Sequence, residues 1–493
     1  MKYRNNCNTR PPLSPPLDKG GIQGGSILKI TLLLFILIPS NFLFSQDKIK
    51  LNYADSLIGK TINGEQVREA LGNVSLTHNN VNITCGRVIQ FFDQNKADLY
   101  GNVKVVKDTV TITAPSGTYY GNDSKVVCSS GATLTDPKTT LNASYGIYYF
   151  NSDLASFRGN VKITDNRSYT ITSDELDYYR SVQKSYCRGR VKVVSDSSTI
   201  DCDSLVYEKL IGFSTATGNV RIESDSTVIT SRKATYDEFQ KKSVAEEDVK
   251  INFLNKNAIV YGNYSENYEK TNYSFVKGNA RLIQIEEKDE DFDTTFIYSQ
   301  KMESFRNKPE YYIATDSVRT IRNDFSSASK IGYYFRDESG KGGTISLARD
   351  PVVWKEDTQI TGDSIYAFFR DDIDDIFVNK SAIAIEFNID YPERYDQISG
   401  VYMHMKFMNN EVNYIQVDTS ASSIYFVFEN EVTPNGANKS EGDIIILEFK
   451  EKKVEKVKIY GKPVGSYIPE QLLNPIEMRL LGFRIRTEKP ERN

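Results

Sequence analysis

Apolar and polar residues alternate along much of this chain in short runs with a period of two. Val103 and Val105 flank Lys104, and the same arrangement returns in segments 161–163 and 220–222. Such alternation is typical of a β-strand with one face in the core and one in water. A polar turn and a second alternating run, such as VTITA, follow each first run. The pattern predicts successive antiparallel hairpins and an all-β fold.

A glycine precedes most of these runs at nearly constant spacing. The glycines lie at positions 72, 101, 131, 159, 189, 218 and 278, in steps of 29, 30, 28, 30, 29 and 60 residues. The last step is two periods, and Asp248 replaces the glycine at its midpoint. A unit of about 29 residues that recurs from Leu71 to Leu282 predicts a stacked array, in which each unit covers the apolar face of its neighbour.

A column of small residues and a column of tyrosines follow the same period. Each small residue precedes a tyrosine by five positions, in the pairs Ala114–Tyr119, Ala143–Tyr148, Ser173–Tyr178, Cys202–Tyr207 and Ser231–Tyr236. Because five is odd, strict alternation places the two columns on opposite faces. The alternative is a bend or bulge at the small residue. Either way, we assign these columns to the fold rather than to ligand contact.

The first 45 residues differ in kind from the rest. An apolar stretch at 30–38 follows Lys29, is broken by a Pro-Ser-Asn turn, and leads to Ser45. This arrangement predicts a secretory signal peptide that is cleaved near Ser45, behind a Pro/Gly-rich prefix. A retained anchor is the alternative, although the apolar stretch is shorter than the roughly 20 residues that a span needs.

Charge argues against a nucleic-acid partner. The predicted leader holds five of the 61 basic and one of the 65 acidic residues, so 56 basic and 64 acidic residues remain, a net charge of −8. No basic stripe survives that would suit a phosphate backbone. The sequence therefore predicts that neither DNA nor RNA is a partner.

The residues that usually carry chemistry are sparse. Four cysteines remain after the predicted leader is cleaved: Cys85, Cys128, Cys187 and Cys202. They lack metal-ligand spacing, and buried free thiols are favoured over the disulfides that export would allow. The two histidines, His78 and His404, stand apart from any ligand constellation. We therefore predict no catalytic residue, no metal, no cofactor and no enzymatic activity.

Two acidic segments, 286–293 and 370–377, allow calcium binding as an alternative to solvated loops. They lack the Asp-x-Asp-x-Asp-Gly layout of a calcium loop, so solvated loops are favoured. A short helix is predicted to begin at Pro469.

At this point the residues resemble a known family. IKLNYADSLIGKTINGEQVREALGNVSL (49–76), with the repeated GNV strands and tyrosine columns after it, resembles the OstA-like (organic solvent tolerance) family. These are periplasmic β-jellyroll proteins of lipopolysaccharide transport. Segment 348–369 resembles a further unit. Segments 458–470 and 478–486 resemble the closing part of longer members that lack a membrane barrel.

The resemblance implies an antiparallel β-jellyroll, extended or duplicated, in the periplasm or at the outer membrane. The implied partners are lipopolysaccharide or a related lipid, other jellyroll transport proteins joined edge to edge, and an outer-membrane barrel protein. Acyl chains would lie in a lumen lined by inward residues, namely Val103, Val105, Val110, Ile112, Val161, Ile163, Ile171, Val191, Val193, Val220 and Ile222.

We expect residues 46–290 to form the first jellyroll, 291–430 a second jellyroll or a continuation, and 431–493 a closing segment. The chain is much longer than a single-jellyroll bridge protein, and its last ~200 residues lack regular barrel strands. Two other readings stay open. One is a cell-envelope β-solenoid without lipid cargo. The other is a right-handed parallel β-helix enzyme that acts on acidic polysaccharide.

Overall fold

The computed structural model describes residues 47–491 except 138, 166–168, 289–290, 323–324, 337–341, 371 and 431. The predicted signal peptide and its prefix lie outside the described residues. The described residues form β-strands joined by tight turns, with short 3-10 helices at Arg180–Val182, Leu254–Lys256, Glu269–Thr271 and Glu470–Leu472. The last of these follows Pro469, where a short helix is predicted.

Strands β1 to β11 are Lys50–Tyr53, Ser56–Ile62, Glu65–His78, Val81–Phe91, Lys96–Lys107, Val110–Tyr120, Lys125–Cys128, Ala132–Thr135, Thr139–Ala143, Tyr145–Tyr149 and Leu154–Asp165. Strands β12 to β22 are Tyr169–Tyr179, Lys184–Ser195, Thr199–Glu208, Phe213–Glu223, Thr227–Asp237, Lys242–Phe253, Ala258–Tyr268, Tyr273–Lys288, Asp291–Phe305, Tyr311–Ile321 and Ser326–Arg336. Strands β23 to β32 are Gly343–Ala348, Val352–Lys355, Thr358–Thr361, Ser364–Phe369, Ile373–Phe387, Tyr395–Met408, Glu411–Glu429, Thr433–Lys450, Lys453–Tyr460 and Val464–Pro469.

These strands form one antiparallel meander. From β11 to β22 each strand pairs with the strand before it and the strand after it, as in the run β15–β16–β17. The pairing continues across residue 290 through β19 and β20, and across residue 430 through β29 and β30. Because every pairing between described strands is antiparallel, the parallel β-helix reading is wrong, and the all-β antiparallel prediction is confirmed.

The repeated Gly-Asn phrase is a β-bulge. Gly218 and Asn219 have φ angles of 75° and 47°, and these two residues stand opposite the single residue Arg232 on the next strand. A bulge bends its strand and strengthens the local twist. Each long strand therefore turns at this point, and its two halves form two arms of the sheet.

The line of bends is deeply buried along the whole array. The residue that follows the bulge is 2% exposed or less in strand after strand, at Val74, Val103, Val161, Val191, Val220, Val249, Ala280, Val318, Ala382 and Ala421. Small residues lie opposite, for example Cys202 against Val191 and Ser231 against Val220. The bend leaves little room, so larger side chains are excluded.

The bend also explains the odd spacing between the small residues and the tyrosines. Ser231 and Ala234 both point inward because the sheet turns between them, and Tyr236 follows on the same inner face. The hydroxyl of Ser231 donates to the carbonyl of Lys233 at 3.0 Å and satisfies it at the bend. Of the two alternatives, the bend is therefore the one that the structure shows.

The bulges continue where the sequence repeat fades. Consecutive residues with positive φ recur at Asp316–Ser317, Arg349–Asp350, Lys380–Ser381, Thr419–Ser420 and Gly461–Lys462. Most of these positions lack glycine. The architecture of the first half thus extends through the second half of the chain.

Apolar residues pack into separate cores along the array. One core runs from Ile49 to Ala234, and a second runs from Phe325 to Ile445. A third lies under the C-terminal tail, where Leu480, Phe483 and Ile485 cover the outer face of the sheet. No described residue between Ala234 and Phe325 belongs to either of the two inner cores.

Candidate functional site

The arms of the sheet close on each other at the N-terminal end. His78 Nδ1 lies 2.9 Å from the hydroxyl of Tyr119 on the facing arm. Lys107 donates to the carbonyl of Phe150 at 2.7 Å, and Arg180 donates to the Thr109 hydroxyl at 2.8 Å. Further along, the rings of Tyr169 and Tyr207 meet across the arms at 6.2 Å between centroids. The first three contacts enclose the first core, and the Tyr169–Tyr207 pair lies at its boundary with the strands that follow.

A similar closure occurs in the C-terminal half. Lys355 Nζ donates to the side-chain oxygen of Asn410 across the arms at 2.6 Å, and it lies 5.2 Å from the centre of the Phe407 ring. Beneath it, Ile360, Ile376 and Val417 are fully buried. Both ends of the array are therefore filled with packed side chains.

Between these ends the inner face is open. Eight aliphatic side chains occupy the second inner position from the bend on one arm of strands β13 to β20, and all eight are partly exposed. This aliphatic wall consists of Val193, Ile200, Ile222, Ile229, Ile251, Val260, Leu282 and Ile297. The equivalent side chains of earlier strands, such as Val105 and Ile112, are 2% exposed or less. The same kind of residue is thus packed in one region and uncovered in the next.

The opposite arm of the same strands carries short and polar side chains. This polar wall consists of Ser185, Tyr207, Ser214, Tyr236, Ser243, Asn267, Ser274 and Ser304, all partly exposed. Its equivalents in the first core include Ala97, Tyr119, Val126, Tyr148 and Ala155, which are buried.

Side-chain volume explains why this region stays open. One inner position of the facing arm recurs in each repeat unit. It holds large side chains in the first core, at Leu99 and Phe157, and alanine in the middle strands, at Ala216 and Ala245. Small side chains give the aliphatic wall fewer atoms to pack against, so it makes fewer dispersion contacts. Val193 and Ile222, at the N-terminal end of the wall, still pack against the first core. We call the space between the two walls of β13–β20 the open groove.

The predicted lumen residues divide into two sets. Nine of the eleven are buried: Val103, Val105, Val110, Ile112, Val161, Ile163, Ile171, Val191 and Val220. The other two, Val193 and Ile222, belong to the aliphatic wall. Lipid binding by the eleven residues stays a prediction.

Of the polar wall, only Tyr207 and Tyr236 were named from the sequence, as members of the tyrosine column, and the later aliphatic residues were not predicted. A signal for them exists in the repeat register, where an alanine or valine of the early units is replaced by serine at 185, 214, 243 and 274. A search for a change in volume along one column, rather than for the column itself, would have found the groove.

Two edges of the sheet remain unpaired among the described strands. At the N-terminal edge, β2 pairs with β3 alone, and Leu57 is 57% exposed. At the C-terminal edge, β31 and β32 pair with β30 alone, and Val464 is 61% exposed. Free N–H and C=O groups on such edges are templates for strand addition.

The four cysteines are explained by their place in the packed sheet. Cys85, Cys128, Cys187 and Cys202 are free and buried, as predicted. Burial raises the pKa of the Cys187 thiol to about 12 and the pKa values of the other three to about 11. These thiols are therefore inert at neutral pH.

The two histidines and the second acidic segment are also accounted for by local contacts. His78 Nε2 lies 2.9 Å from the Asp47 carbonyl, in addition to its Tyr119 contact. His404 stacks on Phe377 and lies 2.6 Å from Asp375, while Asp374 pairs with Arg370. Within the described ranges, no group of three His, Cys, Asp or Glu side chains is placed to hold a metal ion. No helix in the described part of the chain is long and apolar enough to span a membrane.

Comparison with known proteins bears on the first half of the chain. Residues 46–203 and 149–263 match the family described as OstA-like protein. Among solved structures, the chain is similar to LptH from Pseudomonas aeruginosa, described as the LptA homologous periplasmic component of the conserved lipopolysaccharide transport device. The identity is 16%, over 28% of this chain and 74% of that chain, with a TM-score of 0.15. No curated protein matches this chain.

Proposed function

We propose that this protein, a member of the OstA-like family, shields the acyl chains of lipopolysaccharide or a related lipid between the inner and outer membranes. The open groove is the observation that carries this proposal. Its aliphatic wall is a continuous strip of eight partly exposed Val, Ile and Leu side chains on the inner face of the sheet. A soluble fold gains about 1.5–3 kcal/mol for each such side chain that it buries. An inner strip left uncovered is the mark of a binding surface.

The energetics match an acyl cargo. Exposing a chain of about a dozen methylenes to water costs on the order of 10 kcal/mol, at ~0.8 kcal/mol each. Laying that chain along the aliphatic wall removes both apolar surfaces from water. The packed cores at the two ends make the side of the array, between the arms of β13–β20, the route by which cargo enters.

The unpaired edges support assembly into a longer path. β2 at one edge and β31 and β32 at the other offer backbone groups to a neighbouring sheet. The proposed edge partners are other jellyroll transport proteins and, at the outer membrane, a barrel protein. The proposed location is the periplasm, with contribution to outer-membrane assembly.

A β-solenoid without cargo is the alternative function, and bound lipid distinguishes the two. We expect the full chain, produced in a Gram-negative host and purified without detergent, to carry acylated lipid that mass spectrometry identifies. Ile229→Asp places a charge in the aliphatic wall, next to Ile222 and Ile251, and is expected to remove most of this lipid.

Thr230→Asp is the matched control, since Thr230 is the neighbouring residue on the outer face of the same strand. We expect it to retain lipid at the level of the unaltered protein. Lipid-free protein in every case would overturn the transport proposal in favour of the solenoid. If both variants retain the same amount of lipid as the unaltered protein, the lipid binds outside the groove.

A further inference from the structure

An arginine lies at the polar wall of the groove without a carboxylate partner. The Arg306 guanidinium donates from Nη1 to the Ser274 hydroxyl at 2.7 Å and from Nη2 to the Asn267 side-chain oxygen at 2.8 Å. Both partners belong to the polar wall, and both are neutral. No carboxylate of the described residues lies within ion-pair distance of Arg306.

The charge on Arg306 is only partly solvated. Burial lowers the pKa of its guanidinium, while Tyr312 and Glu310 act more weakly in the opposite direction. Arginine nevertheless stays protonated in proteins. A partly desolvated cation whose hydrogen-bond partners are neutral gains more from an added anion than a solvated surface cation does.

The geometry leaves part of the guanidinium free for a ligand. Arginine has five N–H donors in a planar fork, and the wall uses two of them. A fork with remaining donors suits the paired oxygens of a phosphate, which it binds through charge-assisted bonds.

An anion bound at Arg306 would lie beside the polar wall and across the groove from the aliphatic wall. The polar wall of Ser, Tyr and Asn side chains lies across the groove from the aliphatic wall, so an amphiphile in the groove meets hydroxyls on one side and hydrocarbon on the other. The equivalents of the polar wall in the first core, including Ala97 and Val126, are apolar and buried. This division is therefore confined to the open region.

Resting on the proposed function, we infer that Arg306 anchors the phosphate of a phosphorylated acyl lipid, whose headgroup lies along the polar wall and whose chains lie along the aliphatic wall. The groove then discriminates among lipids by headgroup charge as well as by acyl content. It also orients the cargo, because the headgroup is held toward β18–β20.

The test compares binding of two lipids that share the same acyl chains. The probes are a phosphorylated, multiply acylated disaccharide lipid and the same lipid after phosphatase treatment, each titrated into the full chain. Arg306→Gln is expected to weaken binding of the phosphorylated lipid by about tenfold, in the range of a lost charge-assisted bond. Arg306→Gln should leave binding of the dephosphorylated lipid unchanged. Arg306→Lys should restore part of the lost affinity for the phosphorylated lipid.

The controls separate this inference from the proposed function. Arg319→Gln removes an arginine that stacks on Tyr298 of the outer face, and it should affect neither lipid. Unchanged binding of the phosphorylated lipid by folded Arg306→Gln, with loss in Ile229→Asp, would overturn the anchor and leave the acyl groove standing. Loss of both lipids in Arg306→Gln would show a structural tie between strands. Inorganic phosphate that competes fully with the lipid would mark a free-anion site instead.

Discussion

At the scale of single residues, the repeated Gly-Asn phrase serves backbone geometry. A β-carbon on Gly218 would overlap the carboxylate of Asp203, and the Asn219 side chain donates to that same carboxylate at 2.9 Å. Glycine tolerates both the positive φ and the close approach, while asparagine is the side chain that best tolerates the second left-handed position. The phrase therefore encodes a bend and carries no chemistry.

Replacing Gly218 with alanine tests this reading. We expect a loss of about 1–2 kcal/mol in the free energy of unfolding from the left-handed conformation alone, with more from the overlap with Asp203. Urea unfolding followed by circular dichroism measures it. Gly59→Ala is the control, since nothing lies within 4 Å of its added carbon and it sits on an exposed edge strand. Equal effects in the two variants would contradict the bulge as the cause.

The opposite change is expected to stabilise the protein. Thr419 is a β-branched residue held at a φ of 67° in the bulge of β29, a conformation that such residues rarely adopt. Thr419→Gly should raise the free energy of unfolding by about 1 kcal/mol, since relief of strain outweighs the added freedom of the unfolded chain. A lower midpoint of unfolding would show that the threonine side chain contributes packing that the bend needs.

At the scale of elements, the C-terminal tail is fixed by two buried glutamines. Gln397 donates to the Met478 carbonyl at 2.9 Å and accepts from the Leu480 N–H at 2.9 Å. Gln359 makes the same pair of bonds with Arg484 and Arg486. Each amide thus satisfies the backbone of a segment that has no strand partner there.

Removing one of these two glutamines should detach the tail from the sheet under conditions in which the sheet stays folded. Gln397→Ala leaves the Leu480 N–H unpaired and removes one of the two donors to the Met478 carbonyl, which keeps its bond from Arg479. The expected cost is about 1–3 kcal/mol. We expect limited proteolysis to cut the region 473–489 faster in this variant, while the rest of the chain stays intact. Gln66→Ala, which removes an exposed amide bonded to Thr61, should not change the rate. Unaltered cleavage in Gln397→Ala would mean that Leu480 and Phe483 hold the tail by apolar contact alone.

The elements also show how far the sequence could be read. Alternation and glycine spacing predict the hairpins and their register up to Leu282, because most bulges there are written as Gly-Asn or a close variant. The bulge at Glu247–Asp248 is an exception, and there Glu247, rather than Asp248, stands at the glycine position. Beyond Leu282 the bulges at Lys380–Ser381 and Thr419–Ser420 use residues that rarely adopt the left-handed conformation. Pairing with neighbouring strands imposes the conformation of these residues, so the local sequence does not predict it.

At the scale of the whole molecule, closure depends on what faces each aliphatic position. Val105 and Ile222 occupy equivalent positions in the repeat, yet Val105 is fully buried while Ile222 is partly exposed. The difference lies on the other arm, where Leu99 and Phe157 give way to Ala216 and Ala245. A pattern of inward valines predicts an inner face, but only the volumes of both arms decide whether that face is packed or open.

Thiol labelling distinguishes an array that is packed at both ends and open between them from a tube that is open along its whole length. The four cysteines that follow the predicted leader provide a low background, because burial raises their pKa values to about 11 or 12 and leaves little thiolate at pH 8. Ile229→Cys, in the aliphatic wall, should react with a small maleimide readily, while Val105→Cys should stay unlabelled in the folded protein. A bound acyl lipid should slow labelling of Ile229→Cys several-fold and leave Thr230→Cys on the outer face unaffected. Rapid labelling at Val105 as well would mean that the first core is itself open, and the cargo path would then extend from the groove to the N-terminal edge.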